Sequence, residues 1–318
     1  MNWELIKKRS EIIMQIRSFF INKGYLEVDT PLLSPDLIPE SSIEIYKTEM
    51  INPFKGNKDL YLIPSPEIWM KKLLSMGSGD IFQICKSFRN SEQSGRQHNS
   101  EFTMLEWYKT GFGYLDNIQE TEELFHFLTD ENSPGNIKPP FARMSMEEAF
   151  IRYAGFSLEA HYEREQLYSQ CLKLDLGPEE DESWEVLFNR IFIDRVEPNL
   201  PQEKPLVLYN YPSRIKTLAK EIDGTLWSER WELYAGGMEL ANCFSEENDR
   251  KKIRDYYAEE KALKDALSPV SHKVDENFHE FFGKGFPRCS GVAMGVDRLI
   301  MLLTGERSIG GVILFPHL

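Results

Sequence analysis

The sequence has no long apolar run; nothing approaches the roughly 20 residues of a membrane span. Cysteine is scarce. The four are Cys85, Cys171, Cys243 and Cys289, and none forms a C-x-x-C pair, which argues against a zinc knuckle and a redox motif. Positive charge is also short, with 37 Lys and Arg against 51 Asp and Glu, a net charge of −14. That balance does not fit a protein that coats itself with nucleic acid, although a local basic patch is compatible with it. There is no long repeat, no low-complexity tract, and no signal-peptide order of basic, apolar and small residues at the start. What remains is a globular chain of 318 residues, 41% apolar and 28% charged, read most simply as a reduced cytosolic enzyme.

The chain opens with a helical pattern. Ile6, Ile12, Ile13, Ile16, Phe19 and Phe20 recur at three- and four-residue spacing, and Gly24 is a plausible stop. Residues 25–28 read as a short strand. Leu60-Tyr61-Leu62-Ile63 is a second strand, followed by Ser65-Pro66-Glu67. Serine suits the N-cap, proline the first helical position and glutamate the positive helix end, so a helix is expected to about Gly77. Ser65 and Glu67 then sit at a strand-to-helix junction, a frequent place for ligand contacts. Residues 130–205 read as a mostly helical insertion within one catalytic domain spanning 1–318, and 249–265 as a surface helix.

Three units carry chemistry. In a strand over 81–89, Phe82, Ile84 and Phe88 share one face, with Gln83, Cys85, Ser87 and Arg89 on the other. The polar turn 90–100 contains no apolar residue, and the returning strand puts Phe102, Met104, Glu106 and Tyr108 on one face. Arginine forks suit phosphate and an aromatic face suits a base. In the second unit, a two-residue turn at Gly236-Gly237 pairs Ala235 with Met238 and Tyr234 with Glu239, which sets Glu232 opposite Ala241. Glu232 and Glu239 then lie on one face, where two carboxylates can share Mg²⁺ bridging a polyphosphate; a pair of exposed glutamates on an edge hairpin is an equally open reading. Simple alternation turns Asn242 and Glu246 to the opposite face from Glu239, so a common ligand requires a bulge between them. The third unit, residues 290–305, alternates small residues through a strand and enters a helix near Val296. Arg298 in the first turn of that helix opposes the helix dipole, which points to a bound phosphate.

In this order the units resemble class II aminoacyl-tRNA synthetases. Residues 12–31 look like the dimer-forming first motif, Ser87-Phe88-Arg89 through Tyr108 like the second, and Gly291 to Arg298 like the third. Within the class, Phe88-Arg89-Asn90, His98-Asn99 and Gly295-Val296-Asp297-Arg298 are similar to lysyl-tRNA synthetases. The run His98-Asn99-Ser100-Glu101-Phe102-Thr103-Met104-Leu105-Glu106-Trp107-Tyr108, with Glu239-Leu240-Ala241-Asn242 and Cys289-Ser290-Gly291-Val292-Ala293, resembles most the stand-alone paralogues that lysylate elongation factor P. The resemblance implies an α+β fold with an antiparallel sheet, helices on one face, and a homodimer. The first helix starts within a few residues of Met1, which leaves no room for the OB anticodon-binding domain of the synthetases.

The roles it implies are these. Arg89 holds the α-phosphate of ATP and Arg298 the γ-phosphate. Phe102 stacks on adenine, with Arg298 on the other side, while Asn90, Glu92, His98 and Asn99 shape the nucleotide site. Leu240 and Gly295 offer backbone to the nucleotide, and Glu232 and Glu239 hold Mg²⁺. Ser65, Pro66, Glu67, Tyr108 and Glu246 line the lysine pocket, with Glu106 and Asn242 as second choices. Ala293 stands where the synthetases have glycine, an alanine the paralogues share with their preference for (R)-β-lysine. Two departures are an extra residue before Glu92, and Cys243 in place of glycine, which could narrow the pocket or expose a thiol. The expected reaction is lysine activation by ATP and Mg²⁺ with transfer to elongation factor P in the cytoplasm, with no membrane and no tRNA. A truncated lysyl-tRNA synthetase-like enzyme charging tRNA or a small acceptor is the alternative. A catalytically dead sensor of ATP or lysine is the third reading, opposed by intact Arg89, Arg298, Glu232 and Glu239.

Overall fold

The computed structural model describes residues 2–91, 95–283 and 285–316. Helix α1 (Trp3–Asn22) turns through Gly24, at φ 83°, into strand β1 (Leu26–Glu27). Strands β2 (Leu33–Ser34), β3 (Tyr46–Met50) and β4 (Lys58–Leu62) form a small antiparallel sheet, and β4 leads into α2 (Glu67–Ser75). Strands β5 (Ile81–Phe88) and β6 (Glu101–Thr110) form the first long hairpin, followed by α3 (Asp116–Leu128). Next come β7 (Ala142–Ser145), α4 (Met146–Ala149), α5 (Arg164–Lys173), α6 (Trp184–Ile191) and β8 (Leu206–Pro212). The second hairpin joins β9 (Trp227–Ala235) to β10 (Met238–Ser245), and α7 (Arg250–Leu267), β11 (Cys289–Gly295) and α8 (Val296–Leu303) follow.

Among the described residues, eight strands make one sheet in the order β1-β5-β6-β11-β10-β9-β8-β7. From β5 to β8 the pairing is antiparallel. At the rims β1 and β7 each pair parallel with their neighbour, so the expected antiparallel sheet is mixed at its edges. Strand β7 comes from the stretch read as mostly helical.

One face of this sheet is apolar because alternation collects large side chains there. Phe82, Leu105, Trp107, Val292, Cys243, Trp231 and Leu233 are buried against α1, α3 and α8. Phe20 of α1 packs on Phe82 and Trp107 with ring centroids 5.0 and 5.1 Å apart, and burying each such side chain is worth about 1.5–3 kcal/mol. Asp297, 2% exposed, ties this layer together. Its carboxylate pairs with Arg9 of α1 at 2.6 Å and accepts the Thr103 N–H of β6 at 2.7 Å.

The opposite face corrects the expectation that helices cover one side alone. Helices α2 and α7 pack over Ile81 and Tyr108 at one end, and the α4–α6 region packs over Leu206, Leu208 and Tyr234 at the other. The middle strands between these two roofs carry the polar residues. Close backbone approach is needed there at Gly291, which pairs with Tyr108 on β6. A Cβ on Gly291 would overlap Cε1 of the buried Tyr108 ring.

Gly291→Ala is therefore expected to destabilise the protein by about 1–3 kcal/mol, the usual cost of overpacking a closed site. Urea unfolding followed by tryptophan fluorescence measures it, and an unchanged midpoint would contradict the tight packing.

Candidate active site

A single row of cross-strand neighbours gathers most of the polar residues. Gln83 of β5 faces Glu106 of β6, which faces Ala293 of β11; Ala293 faces Asn242 of β10, and Asn242 faces Glu232 of β9. The turn at Gly236-Gly237 pairs Ala235 with Met238 and Tyr234 with Glu239, as expected. The register then shifts between Glu239 and Ala241. Glu232 consequently meets Asn242 rather than Ala241, which corrects the simple alternation. The bulge supplies the parity change that a common ligand for Glu239, Asn242 and Glu246 requires. It also sends the Leu240 side chain into the apolar core. A second shift, at Asn210 with φ 59°, turns Tyr211 toward the same face.

At one end of the row lies a buried ionic cluster. Lys71 of α2 is fully buried, with Nζ 2.5 Å from Glu67 and 2.6 Å from Glu246, and it lies 5.1 Å from the centroid of the Phe244 ring. Burial alone would lower the Lys71 pKa, but Glu246 and Glu67 outweigh it and hold the ammonium above its ordinary value. Glu106, 2% exposed, accepts hydrogen bonds from Ser65 Oγ at 2.6 Å and Tyr108 OH at 2.7 Å. Its pKa is pushed up to about 8 by burial and the Glu67 charge, against the pull of those donors and Lys71. Glu246 is likewise pushed up to about 8, by burial above all, with Lys71 pulling it down. Ser65 also accepts the Glu67 N–H at 3.1 Å, while Pro66 occupies the cap position, so α2 begins one residue later than expected.

The other end gathers carboxylates and arginines. Glu232 accepts from Tyr211 OH at 2.6 Å, Tyr234 OH at 2.8 Å and Arg230 Nη2 at 2.7 Å. Glu239, by contrast, makes no side-chain hydrogen bond or ion pair among the described residues. Burial and the Glu232 charge push it up to about 7, while Arg298, Arg230 and Arg89 pull it down. Arg298 donates from Nη1 to the Glu239 carbonyl at 2.7 Å and from Nε to the Gln97 carbonyl at 3.1 Å, beside Gly295 at the helix entrance. The Arg89 guanidinium lies 5.4 Å from the centroid of the Phe102 ring, so the phosphate and base candidates are neighbours.

A divalent cation fits here in part. Among the described residues no group of three or more His, Cys, Asp or Glu side chains is arranged to hold a metal. Glu239 has the open carboxylate that a cation would draw into its ionised form, and Glu232, whose Oε1 accepts from Arg230 alone, keeps one lone pair with which to join it. Phosphate and water would have to complete the shell, as is usual for Mg²⁺.

The remaining sequence candidates fall as follows. Asn90 spends its backbone N–H on the Glu44 carbonyl at 2.8 Å and its amide on the Ile45 carbonyl at 3.3 Å. Asn99 is buried and donates to the Glu101 carbonyl at 2.5 Å; His98 is half-buried beside it. Glu92 lies outside the described residues. Cys243 neither narrows the pocket nor exposes a thiol, because it points into the apolar core, where burial pushes its pKa well up. Sequence reasoning missed Lys71, Arg230, Tyr211 and Tyr234. The Glu67/Lys71 spacing of four residues was a signal for the first, but it is also that of an ordinary surface pair.

The chain matches the family model for tRNA synthetases class II (D, K and N) over residues 2–318. It is 38% identical over 323 residues to a protein of Haemophilus ducreyi named elongation factor P–(R)-β-lysine ligase, covering 99% of this chain and 96% of that one. Proteins of the same name from Avibacterium paragallinarum and Sodalis glossinidius are 38% and 36% identical, covering 98% and 97% of this chain and 95% and 93% of theirs.

Lys71→Met removes the cation that Glu67 and Glu246 share. Between the value of a free glutamate, about 4.3, and pH 8, Glu246 stays neutral in the folded parent and the folded variant alike, so both lose stability in step and their difference stays level. Above about 8 the parent's Glu246 ionises against Lys71 while the variant's has no cation and stays protonated, so the variant's extra loss should grow from there, by about 1.4 kcal/mol per pH unit at most. Urea melts from pH 6 to 9.5 measure it, and a difference that stays level throughout would contradict the pairing.

Proposed function

The chain belongs to the class II tRNA synthetases of the D, K and N type, and from that membership we propose that it activates lysine, (R)-β-lysine by preference, with ATP and transfers it to a lysine side chain of translation elongation factor P. It is a ligase. The observation that carries the reading is a buried cluster of carboxylates, suited to a diammonium substrate, on the same sheet face as the two arginines suited to a polyphosphate.

In this reading Glu67, Glu106 and Glu246, with Ser65, Tyr108 and Asn242, receive the amino acid. A desolvated ammonium needs such partners. Pro66 fixes the turn that carries Ser65 and Glu67. The methyl of Ala293, between Glu106 and Asn242 in the row, limits space beside the substrate's amino-bearing carbon. Phe102 offers a stacking face to adenine, with Asn90, His98 and Asn99 framing the nucleotide and the backbone at Leu240 and Gly295 beside it. Glu92 is assigned to the same frame by family resemblance alone. Bound at Glu239 and Glu232, Mg²⁺ would neutralise polyphosphate charge.

The chemistry needs no side-chain nucleophile. A carboxylate oxygen of the amino acid attacks the α-phosphorus in line, the bond to the bridging oxygen breaks, and pyrophosphate leaves. Arg89 at the α-phosphate and Arg298 at the γ-phosphate neutralise developing charge, so catalysis is positioning and electrostatics. The neutral ε-amine of the acceptor lysine then attacks the acyl carbon. AMP leaves, an amide forms, and the amine gives up a proton. Charging of tRNA is disfavoured by the net charge of −14. A translation factor as acceptor puts the reaction in the cytoplasm, and no helix among the described residues is long and apolar enough to cross a membrane. The reading includes a homodimer through α1 and β1, which expose Trp3, Met14, Ile21 and Leu26.

Intact mass spectrometry of elongation factor P, incubated with the protein, ATP, Mg²⁺ and either lysine isomer, tests the proposal. One added lysyl mass on the factor, with tRNA uncharged in a parallel reaction, is expected; charged tRNA with unmodified factor would overturn it. Arg89→Ala should lower amino-acid-dependent ATP–pyrophosphate exchange by at least about a hundredfold. Ala293→Gly should shift exchange toward α-lysine, and an unchanged ratio of the two isomers would remove Ala293 from specificity.

A further inference from the structure

Strand β11 pairs with β6 as far as Gly295 opposite Met104, and there the chain leaves the sheet to enter α8. The next residue of β6, Thr103, keeps a backbone N–H with no strand to receive it. Asp297 of α8 takes that N–H on Oδ2 at 2.7 Å. Its other oxygen lies 2.6 Å from Nη1 of Arg9 in α1, and Arg9 Nη2 donates to Thr103 Oγ1 at 2.9 Å. The three residues close a ring of contacts between α1, β6 and α8. The ring is sheltered: Asp297 and Thr103 are buried, and the Arg9 side chain is 14% exposed.

This ring lies on the sheet face turned to α1, away from the substrates. Thr103 has the parity of Leu105 and Trp107, which are buried on that face. Its chain neighbour and that of Asp297 belong to the other side. Phe102, one residue before Thr103, has the Arg89 guanidinium 5.4 Å from its ring centroid. Arg298, one residue after Asp297, donates to the Glu239 and Gln97 carbonyls. A buried carboxylate is strongly destabilising once its partner is removed. Arg9 is the one cation in ion-pair contact with Asp297 among the described residues. Without it Asp297 must turn toward water, and in turning it releases the Thr103 backbone and the first turn of α8.

We infer that Arg9 is a positioning residue for the nucleotide half of the site: through Asp297 and Thr103 it fixes Arg298 and Phe102, and it touches no substrate itself. This rests on the reading that those two residues hold ATP. The amino-acid half is anchored separately, by Lys71 on Glu67 and Glu246 and by Ser65 and Tyr108 on Glu106.

Arg9→Met removes the cation and keeps a long side chain. Thr103→Val is milder, removing the hydroxyl that Arg9 bonds and leaving the Thr103 N–H and the ion pair. Calorimetric titration gives Kd for ATP and, separately, for (R)-β-lysine. Arg9→Met should raise Kd for ATP at least about tenfold and Thr103→Val about two- to fivefold. Kd for (R)-β-lysine should change less than about twofold in both, as independent sites do. Asp297→Asn added to Arg9→Met should recover at least about threefold of the lost ATP affinity, because the amide oxygen still accepts the Thr103 N–H and needs no cation. Equal weakening of both ligands, no change in ATP affinity, or a parent that binds no ATP would overturn the inference. If Arg9→Met does not fold, the same two constants for Thr103→Val decide. If the parent binds ATP, loses it in Arg9→Met, and yet shows no ATP–pyrophosphate exchange with either lysine isomer, the inference stands and the proposed activity fails.

Discussion

Alternation along a pleated strand is the constraint on which everything else in this molecule depends. Each of the middle strands turns one set of side chains to α1, α3 and α8 and the other to the site, so every residue is committed to grease or to chemistry by its parity. The apolar set holds the sheet together. The polar set can converge because the antiparallel registers bring Gln83, Glu106, Ala293, Asn242 and Glu232 into one row. Parity is broken at two places, near Asn210 and near Leu240, and both serve the site. One aims a tyrosine hydroxyl at Glu232; the other brings Glu239 and Asn242 to the same side without moving Leu240 and Ala241 out of the core.

The charges then sort themselves by what each carboxylate already holds. Glu232 already accepts from three protein donors, which fixes its orientation and leaves it one lone pair. Glu239 and one oxygen of Glu246 hold no protein donor among the described residues, and these are the groups most open to a ligand. Burying several carboxylates together costs stability, a cost commonly met at sites that must strip water from a charged substrate.

Much of this was legible in the residues, and the gaps have physical causes. The two hairpins and their faces followed from alternation and from the Gly236-Gly237 turn. The register beyond Glu239 did not, because nothing in Met238-Glu239-Leu240-Ala241-Asn242 marks a bulge locally; only the demand for a shared ligand pointed to one. Strand β7 escaped because its partner β8 lies some sixty residues on and β7 itself is four residues long. Lys71 reads as a surface partner for Glu67 until α7 and the sheet close over it.

The buried pairing of Lys71 has one more consequence. The proposed intermediate is an acyl phosphate anhydride, and its intended acceptor is the amine of a lysine on another protein. Lys71 presents an amine of the same kind, inside the pocket, at far higher effective concentration. A primary amine attacks an acyl group only when neutral. Held between Glu67 and Glu246, Lys71 stays an ammonium with its lone pair taken by a proton. The two carboxylates thus act as a protecting group, leaving the enzyme's own lysine chemically silent while the activated acyl group waits for its partner.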